Sequence, residues 1–187
     1  MRRVTPDAAA ALMRAGGVVA YPTEAVWGLG CDPFNETAVL RLLAVKQRSV
    51  DKGVILVGAS LAQFEGLLAW DRLPRDRVES VQAQWPGPRT WIVPATPRVP
   101  AWITGTHDGV AVRVSDHPVV IALCEAFGGP VVSTSANLAG EAPAFTFDTF
   151  SGAVLSRVDG VLAGETGGLR APTAIRDAAT GTELRAG

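Results

Sequence analysis

The segment Val131–Pro143, VVSTSANLAGEAP, sets Ser133, Thr134, Ser135 and Asn137 directly behind a short apolar run. Side chains alternate along an extended chain, so Ser133 and Ser135 are expected on one face, with Asn137 just beyond. Hydroxyls and an amide arranged this way can hydrogen-bond a phosphate, a ribose or an amino acid without adding charge. The same residue types also build turns that cap the next element. A second polar group stands far upstream in AVKQRSVDKG, where Lys46, Arg48 and Lys52 place three cations within seven residues. At a helix exit such cations complement the dipole. They also suit a clamp on triphosphate oxygens, with the guanidinium making a forked contact and the ammonium groups acting as mobile point charges.

A third stretch, AYPTEAVWGLGCDP, joins a strand end to Pro22, Thr23 and two close glycines, Gly28 and Gly30. Glycine lets the backbone approach a ligand or take positive φ. Neither G-x-x-x-x-G-K-[ST] nor G-x-G-x-x-G occurs, so any nucleotide is bound without those devices. Ser49-Val50-Asp51-Lys52 matches S-x-x-K, but the companion S-D-N and K-T-G elements of penicillin-binding enzymes are missing. His107 and His117 lack any H-E-x-x-H or H-x-E arrangement, and no protein-borne metal is expected. His117, before a proline at a helix start, reads as structural. The five tryptophans could stack bases, but packing is the expected use of most.

These loops need elements to position them. Thr5-Pro6-Asp7 reads as an N-cap with proline at the first helical position, and AAAALMRA continues to a stop at Gly16-Gly17. VVAYPT is a short buried strand. Asn35 caps a helix whose apolar face is Val39, Leu42 and Leu43 and which runs into Lys46 and Arg48. VILVG, WIVPA, VAVRVS and PVVST read as strands. LAQFEGLLAW, Arg75–Gln84 and the stretch from His117-Pro118 to Gly128-Gly129 read as helical. The C-terminal part is looser: GVLAG, the loop GETGGLRAP, TAIRD, a turn at ATG, and ELRAG. Strands and helices alternate through the first two-thirds, which suggests an α/β sheet with helices packed on it and its site at the strand ends.

The 187 residues are most simply one domain, 1–187, large enough for a substantial core. The formal net charge of −1, from 17 basic and 18 acidic side chains, argues against a broad cationic face for nucleic acid but leaves room for a local cationic pocket. Cys31 and Cys124 stand in unrelated contexts and read as buried thiols in a reducing compartment. No signal segment and no apolar run near ~20 residues is present, so a soluble cytoplasmic protein with no membrane contact is expected.

AYPTEAVWGLGCDP, KQRSVDKGVILV, WPGPRTWIVPA, VAVRVSDHP, VVSTSANLAG and GETGG occur in the order and approximate spacing of the YrdC/TsaC family. From about Val18 onward the chain resembles the short, single-domain bacterial members. The resemblance implies an α/β fold with a twisted, mostly parallel open sheet and flanking helices around a positively charged cavity. It implies a nucleotidyltransferase that makes L-threonylcarbamoyladenylate from L-threonine, bicarbonate or carbon dioxide, and ATP, releasing pyrophosphate. ATP would bring Mg²⁺ with it, and downstream proteins would transfer the threonylcarbamoyl group to tRNA.

The family's K-x-R and S-x-N signatures match Lys46, Arg48, Ser135 and Asn137, which implies ATP binding there, with Lys46 and Arg48 as the catalytic cations. Lys52 and Arg185, the latter in LRAG, are implied on the nucleotide side. Thr23, Arg113, Ser133 and Thr173 match threonine-side positions, with Arg113 pairing the carboxylate. Thr173 stands where relatives usually have serine. Lys52 replaces an asparagine of many longer relatives, and Val57 lies near a histidine of theirs that contacts threonine. Their additional C-terminal domain has no counterpart in this sequence. The alternative is a double-stranded-RNA-binding or ribosome-maturation factor, with RNA contact in the same cavity and strong salt dependence. A carbamoyl-transfer module ranks last, because the zinc-finger cysteines of the larger chains that carry one are missing.

Overall fold

The computed structural model describes residues 2–187. Among them ten strands form one sheet, in the order β1-β8-β2-β3-β7-β4-β6-β5-β9-β10. The left half holds β1 (Arg3–Val4), β2 (Val19–Pro22), β3 (Trp27–Gly30), β7 (Val131–Ser135) and β8 (Gly160–Leu162). The right half holds β4 (Ile55–Gly58), β5 (Arg89–Pro94), β6 (Gly109–Val114), β9 (Ala174–Asp177) and β10 (Glu183–Arg185). The helices are α1 (Pro6–Arg14), α2 (Glu36–Lys46), α3 (Arg75–Gln82), α4 (Ala101–Thr104), α5 (Pro118–Phe127) and α6 (Gly152–Leu155).

The α/β class and the open sheet with flanking helices match the expectation, while the pairing is more mixed than mostly parallel. Among the described residues four neighbouring pairs are parallel and five antiparallel. Connection length explains part of the balance. Only Thr23–Val26 separate β2 from β3, and a parallel crossover needs a dozen or more residues.

Helices cover both faces of the sheet, which is why strands such as VVAY and VILV are continuously apolar rather than alternating. Along β4, Leu56 joins the core that includes Leu42 of α2 and Trp91 of β5. Its neighbour Val57 joins the opposite core, with Met13 of α1 and Leu123 of α5. Val57 is fully buried there.

The caps form as their residue types suggest. Thr5 Oγ1 accepts from Ala8 N at 3.3 Å and Asn35 Oδ1 from Ala38 N at 3.1 Å. Gly128 ends α5 in the left-handed region at φ 85°. Two segments depart from expectation. LAQFEGLLAW is not one helix but two short 3₁₀ turns, Leu61–Phe64 and Trp70–Arg72, with Gly66 between them at φ 75°. Helix α2 ends at Lys46 because Gln47 turns left-handed at φ 54°, so Arg48 leaves the helix in a new direction.

Candidate functional site: a cationic cavity beside the central strand

Strand β7 pairs with β3 through Gly28↔Ser135 and Leu29↔Thr134, and with β4 through Ile55↔Ser133. Its C-terminal half therefore projects hydroxyls from the middle of the sheet. Ser133, Thr134 and Ser135 all line a cavity of about 340 Å³, a volume typical of small-molecule sites. Gly28 also lines it. Gly30 serves packing instead: a Cβ there would lie 2.6 Å from the Val132 carbonyl oxygen and 2.8 Å from the Tyr21 ring.

Arg48, Lys52, Arg113 and Arg185 line the cavity, and no aspartate or glutamate among the described residues does. Burial lowers the pKa of Arg48. Arg185 is lowered by burial first and then by the nearby charges of Arg113 and Arg48. Arg185 is thus close enough to Arg113 and Arg48 for their charges to oppose its own, an arrangement that an anion relieves. Arg48 Nη2 donates to the carbonyls of Gly53 at 3.0 Å and Lys52 at 3.3 Å, while its buried Nε has no partner among the described residues. Lys52 lies on the single turn Val50–Lys52, which Ser49 caps.

Another part of the cavity lining is built around Arg113 on β6. Its Nη1 donates to Thr173 Oγ1 at 3.0 Å and Thr90 Oγ1 at 3.3 Å, and the two threonine hydroxyls lie 3.3 Å apart. Arg185 Nη2 donates to the Thr173 carbonyl at 2.6 Å, which ties β10 to this corner. Thr23 also lines the cavity, with its hydroxyl donating to the Val26 carbonyl at 2.7 Å across the β2–β3 turn.

Lys46 and Asn137 are not among the lining residues. Lys46 is 3% exposed, and its ammonium donates to the carbonyls of Ser135 and of Asn137, the latter at 2.7 Å. Burial, and secondarily the Arg48 charge, lower its pKa to about 8. Asn137 Nδ2 donates to the carbonyls of Leu138 and Glu141, leaving Oδ1 buried and without a partner among the described residues. These two side chains hold the loop that presents Ser135.

Sequence reasoning missed Glu24, Thr90 and Ser115. All three are buried beside Arg113. Glu24 Oε1 lies 3.3 Å from Arg113 Nε and accepts from Ser115 Oγ at 2.6 Å. The available signal was a carboxylate directly after Thr23 at a strand end; nothing in spacing links Thr90 to Thr173. His107 also lines the cavity. His117 lies outside it, with Nε2 3.0 Å from the Glu165 carbonyl. Among the described residues no group of three or more His, Cys, Asp or Glu is placed to hold a metal.

The family model described as "Telomere recombination", that of Sua5, YciO and YrdC, matches residues 11–187. The chain belongs to the Sua5/YciO/YrdC family. Within that family it is 57% identical over 185 residues to a protein of Stenotrophomonas maltophilia named threonylcarbamoyl-AMP synthase, covering 99% of this chain and 100% of that protein. A protein of the same name from Xanthomonas campestris pv. campestris is 59% identical over 179 residues, 96% of each chain. Among solved structures, P. abyssi Sua5 complexed with L-threonine superposes with a TM-score of 0.84 at 30% identity. That match covers 94% of this chain and 53% of the P. abyssi protein, so the present chain spans about half of that relative.

Proposed function

We propose that residues 1–187 act as one domain that makes L-threonylcarbamoyladenylate from L-threonine, bicarbonate or carbon dioxide, and ATP. The observation that carries this proposal is a cavity lined by four cations and a run of hydroxyls, with no carboxylate among its described lining residues. Such a lining suits a polyphosphate and an amino-acid carboxylate together. The name shared by the bacterial relatives and the threonine bound to P. abyssi Sua5 support the same chemistry.

In this scheme Arg113 receives the threonine carboxylate, with Thr173, Ser133 and Thr23 around it. Arg48, Lys52, Ser135 and Arg185 face the nucleotide phosphates, and ATP enters with its Mg²⁺. Threonine's amine and carbon dioxide form a carbamate. Its oxygen forms a bond to the α-phosphorus of ATP as the bond to pyrophosphate breaks, a nucleotidyl transfer that needs no covalent enzyme intermediate. The protein's part is positioning and charge stabilisation. Lys46 and Asn137 act through the loop they hold, keeping Ser135 in place. No helix among the described residues is long and apolar enough to cross a membrane, and we place the reaction in the cytoplasm, upstream of proteins that modify tRNA.

The test is pyrophosphate release from ATP by purified protein, with threonine and bicarbonate omitted in turn. Release that requires both supports the proposal. Release that ignores either, or none from folded protein, overturns it.

A further inference from the structure

Two of the three guanidinium nitrogens of Arg113 face protein groups. Its Nη1 is held by Thr90 and Thr173, and its Nε edge faces Glu24 at 3.3 Å. Neither Nε nor Nη2 makes a hydrogen bond among the described residues, but Nε is sealed against Glu24, whereas Nη2 is not one of the sealed, partnerless atoms. Because Arg113 lines the cavity, Nη2 is the corner left for a ligand.

Glu24 does not line the cavity itself. Its carboxylate is buried behind the arginine, with Oε1 fixed by the Ser115 hydroxyl at 2.6 Å. Ser115 Oγ in turn accepts from His117 N at 3.1 Å, so the support continues to the start of α5. The backbone of Glu24 is fixed as firmly. Its carbonyl accepts from Leu169 N at 3.2 Å, the Thr23 carbonyl accepts from Gly167 N at 2.9 Å, and a Cβ on Gly167 would come within 2.8 Å of the Glu24 oxygen.

We infer that Glu24 is a positioning residue. Its carboxylate offsets the buried Arg113 charge and turns the guanidinium so that only Nη2 faces the cavity, which makes the site select a ligand that carries a carboxylate there. Without a counter-charge Arg113 is a buried cation with freedom to reorient. With it, the ligand meets a single preset donor corner flanked by the Thr173 hydroxyl. The inference rests on Arg113 receiving the threonine carboxylate, as proposed above.

The experiment measures binding of L-threonine and of L-threoninamide, which lacks the carboxylate, by titration calorimetry on the parent protein, Glu24→Gln, Ser115→Ala and Arg113→Lys. Thermal unfolding and the KM for ATP are followed alongside. Glu24→Gln is expected to weaken threonine binding on the order of 10²-fold, the scale of a misplaced contact. It should leave threoninamide binding and the KM for ATP unchanged, so that the preference for the carboxylate collapses. Ser115→Ala, which spares the charge pair, should do the same to a smaller extent and serves if Glu24→Gln does not fold. Equal loss for both ligands in the folded variants would mean a merely structural role and would overturn the inference. If Arg113→Lys loses the preference and Glu24→Gln keeps it, the inference fails while the assignment of Arg113 stands. If Arg113→Lys also keeps it, that assignment fails and the inference falls with it.

Discussion

Replacing Lys46 by methionine keeps most of the aliphatic stem and removes the ammonium that holds the Ser135 and Asn137 carbonyls. Two opposing contributions set the stability change. Hydrogen bonds from a charged donor contribute about 1.5–3 kcal/mol each, so about 3–6 kcal/mol is lost with the pair. Against this, a pKa lowered from the usual 10.5 to about 8 reports a cost of roughly 3 kcal/mol for keeping that charge buried, and the substitution removes it. At pH 7 the variant should therefore lose no more than about 3 kcal/mol and remain folded. Pyrophosphate release should nonetheless fall sharply, because the loop carrying Ser135 loses its tether.

The pH dependence tests the burial cost separately. Below pH 8 the folded and unfolded chains both hold the Lys46 proton, and stability does not respond to pH through this group. Between about 8 and 10.5 the unfolded chain holds a proton that the folded one has released, so stability rises with pH. From pH 7 to pH 9.5 the parent protein should gain about 2 kcal/mol that Lys46→Met does not. The assay is urea unfolding of both proteins at the two pH values, with equal m-values as the check that the same surface unfolds. Taking the difference cancels the titration of other groups, including Cys124, whose thiol burial pushes up to about 12. A difference that stays flat would refute the reasoning. It would show that the two carbonyl dipoles hold the ammonium charged and that its burial costs little.

Arg48→Ala should lower kcat/KM on the order of 10²–10³-fold, as loss of a single electrostatic donor does, while steady-state assays and circular dichroism show a folded protein. One of its two carbonyl bonds is exposed and the other part-buried, and burial of the charge offsets part of their worth, so their loss should cost no more than about 3 kcal/mol in denaturant titration. Asp159 accepts from Val18 N at 2.8 Å and from both Arg41 Nη atoms at 2.6 and 3.0 Å; the bond from Arg41 is the main cause of its lowered pKa. Its contribution should be present above the ordinary aspartate pKa and lost as pH falls through the lowered folded value. Asp159→Asn should cost about 1–2 kcal/mol at pH 7 and progressively less in acid, measured by unfolding at several pH values. Gly167→Ala should cost about 1–3 kcal/mol and raise the KM for threonine, because its Cβ would press on the Glu24 backbone. Gly129→Ala, with open space around its Cβ, is the neutral control.

Much of the fold was legible because its signals are local. Thr5, Asn35 and Gly128 carry their capping chemistry in their own side chains or lack of one. The doubly covered strands announce themselves as apolar runs, and the hydroxyls of STSAN face the cavity because β7 is central and ends there. Where a local pattern met a competing constraint, it misled. LAQFEGLLAW has helical composition, but Gly66 takes positive φ and the chain breaks into two turns. In VWGLG the two glycines read as backbone freedom for a ligand, and Gly28 does line the cavity, but Gly30 does not. WGLG is strand β3, where Gly30 is small because Tyr21 and Val132 crowd it from neighbouring strands.

The site divides along the same line. Arg48, Lys52, Arg113, Arg185 and the β7 hydroxyls line the cavity, and their type and motif made them visible. Glu24 and Thr90 contact Arg113 and Ser115 contacts Glu24; the three come from separate strand ends and have meaning only once β2, β5 and β6 are placed in one sheet. Lys46 shows how the two classes can be confused. Its position two residues before Arg48 suggests one shared clamp, but Gln47 reverses the backbone between them. The ammonium then falls on the carbonyls of the neighbouring loop, while the guanidinium reaches the cavity. A tripeptide that reads as one cationic motif thus separates into a residue bonded to loop carbonyls and a residue that lines the cavity, and a left-handed turn of a single residue makes the difference.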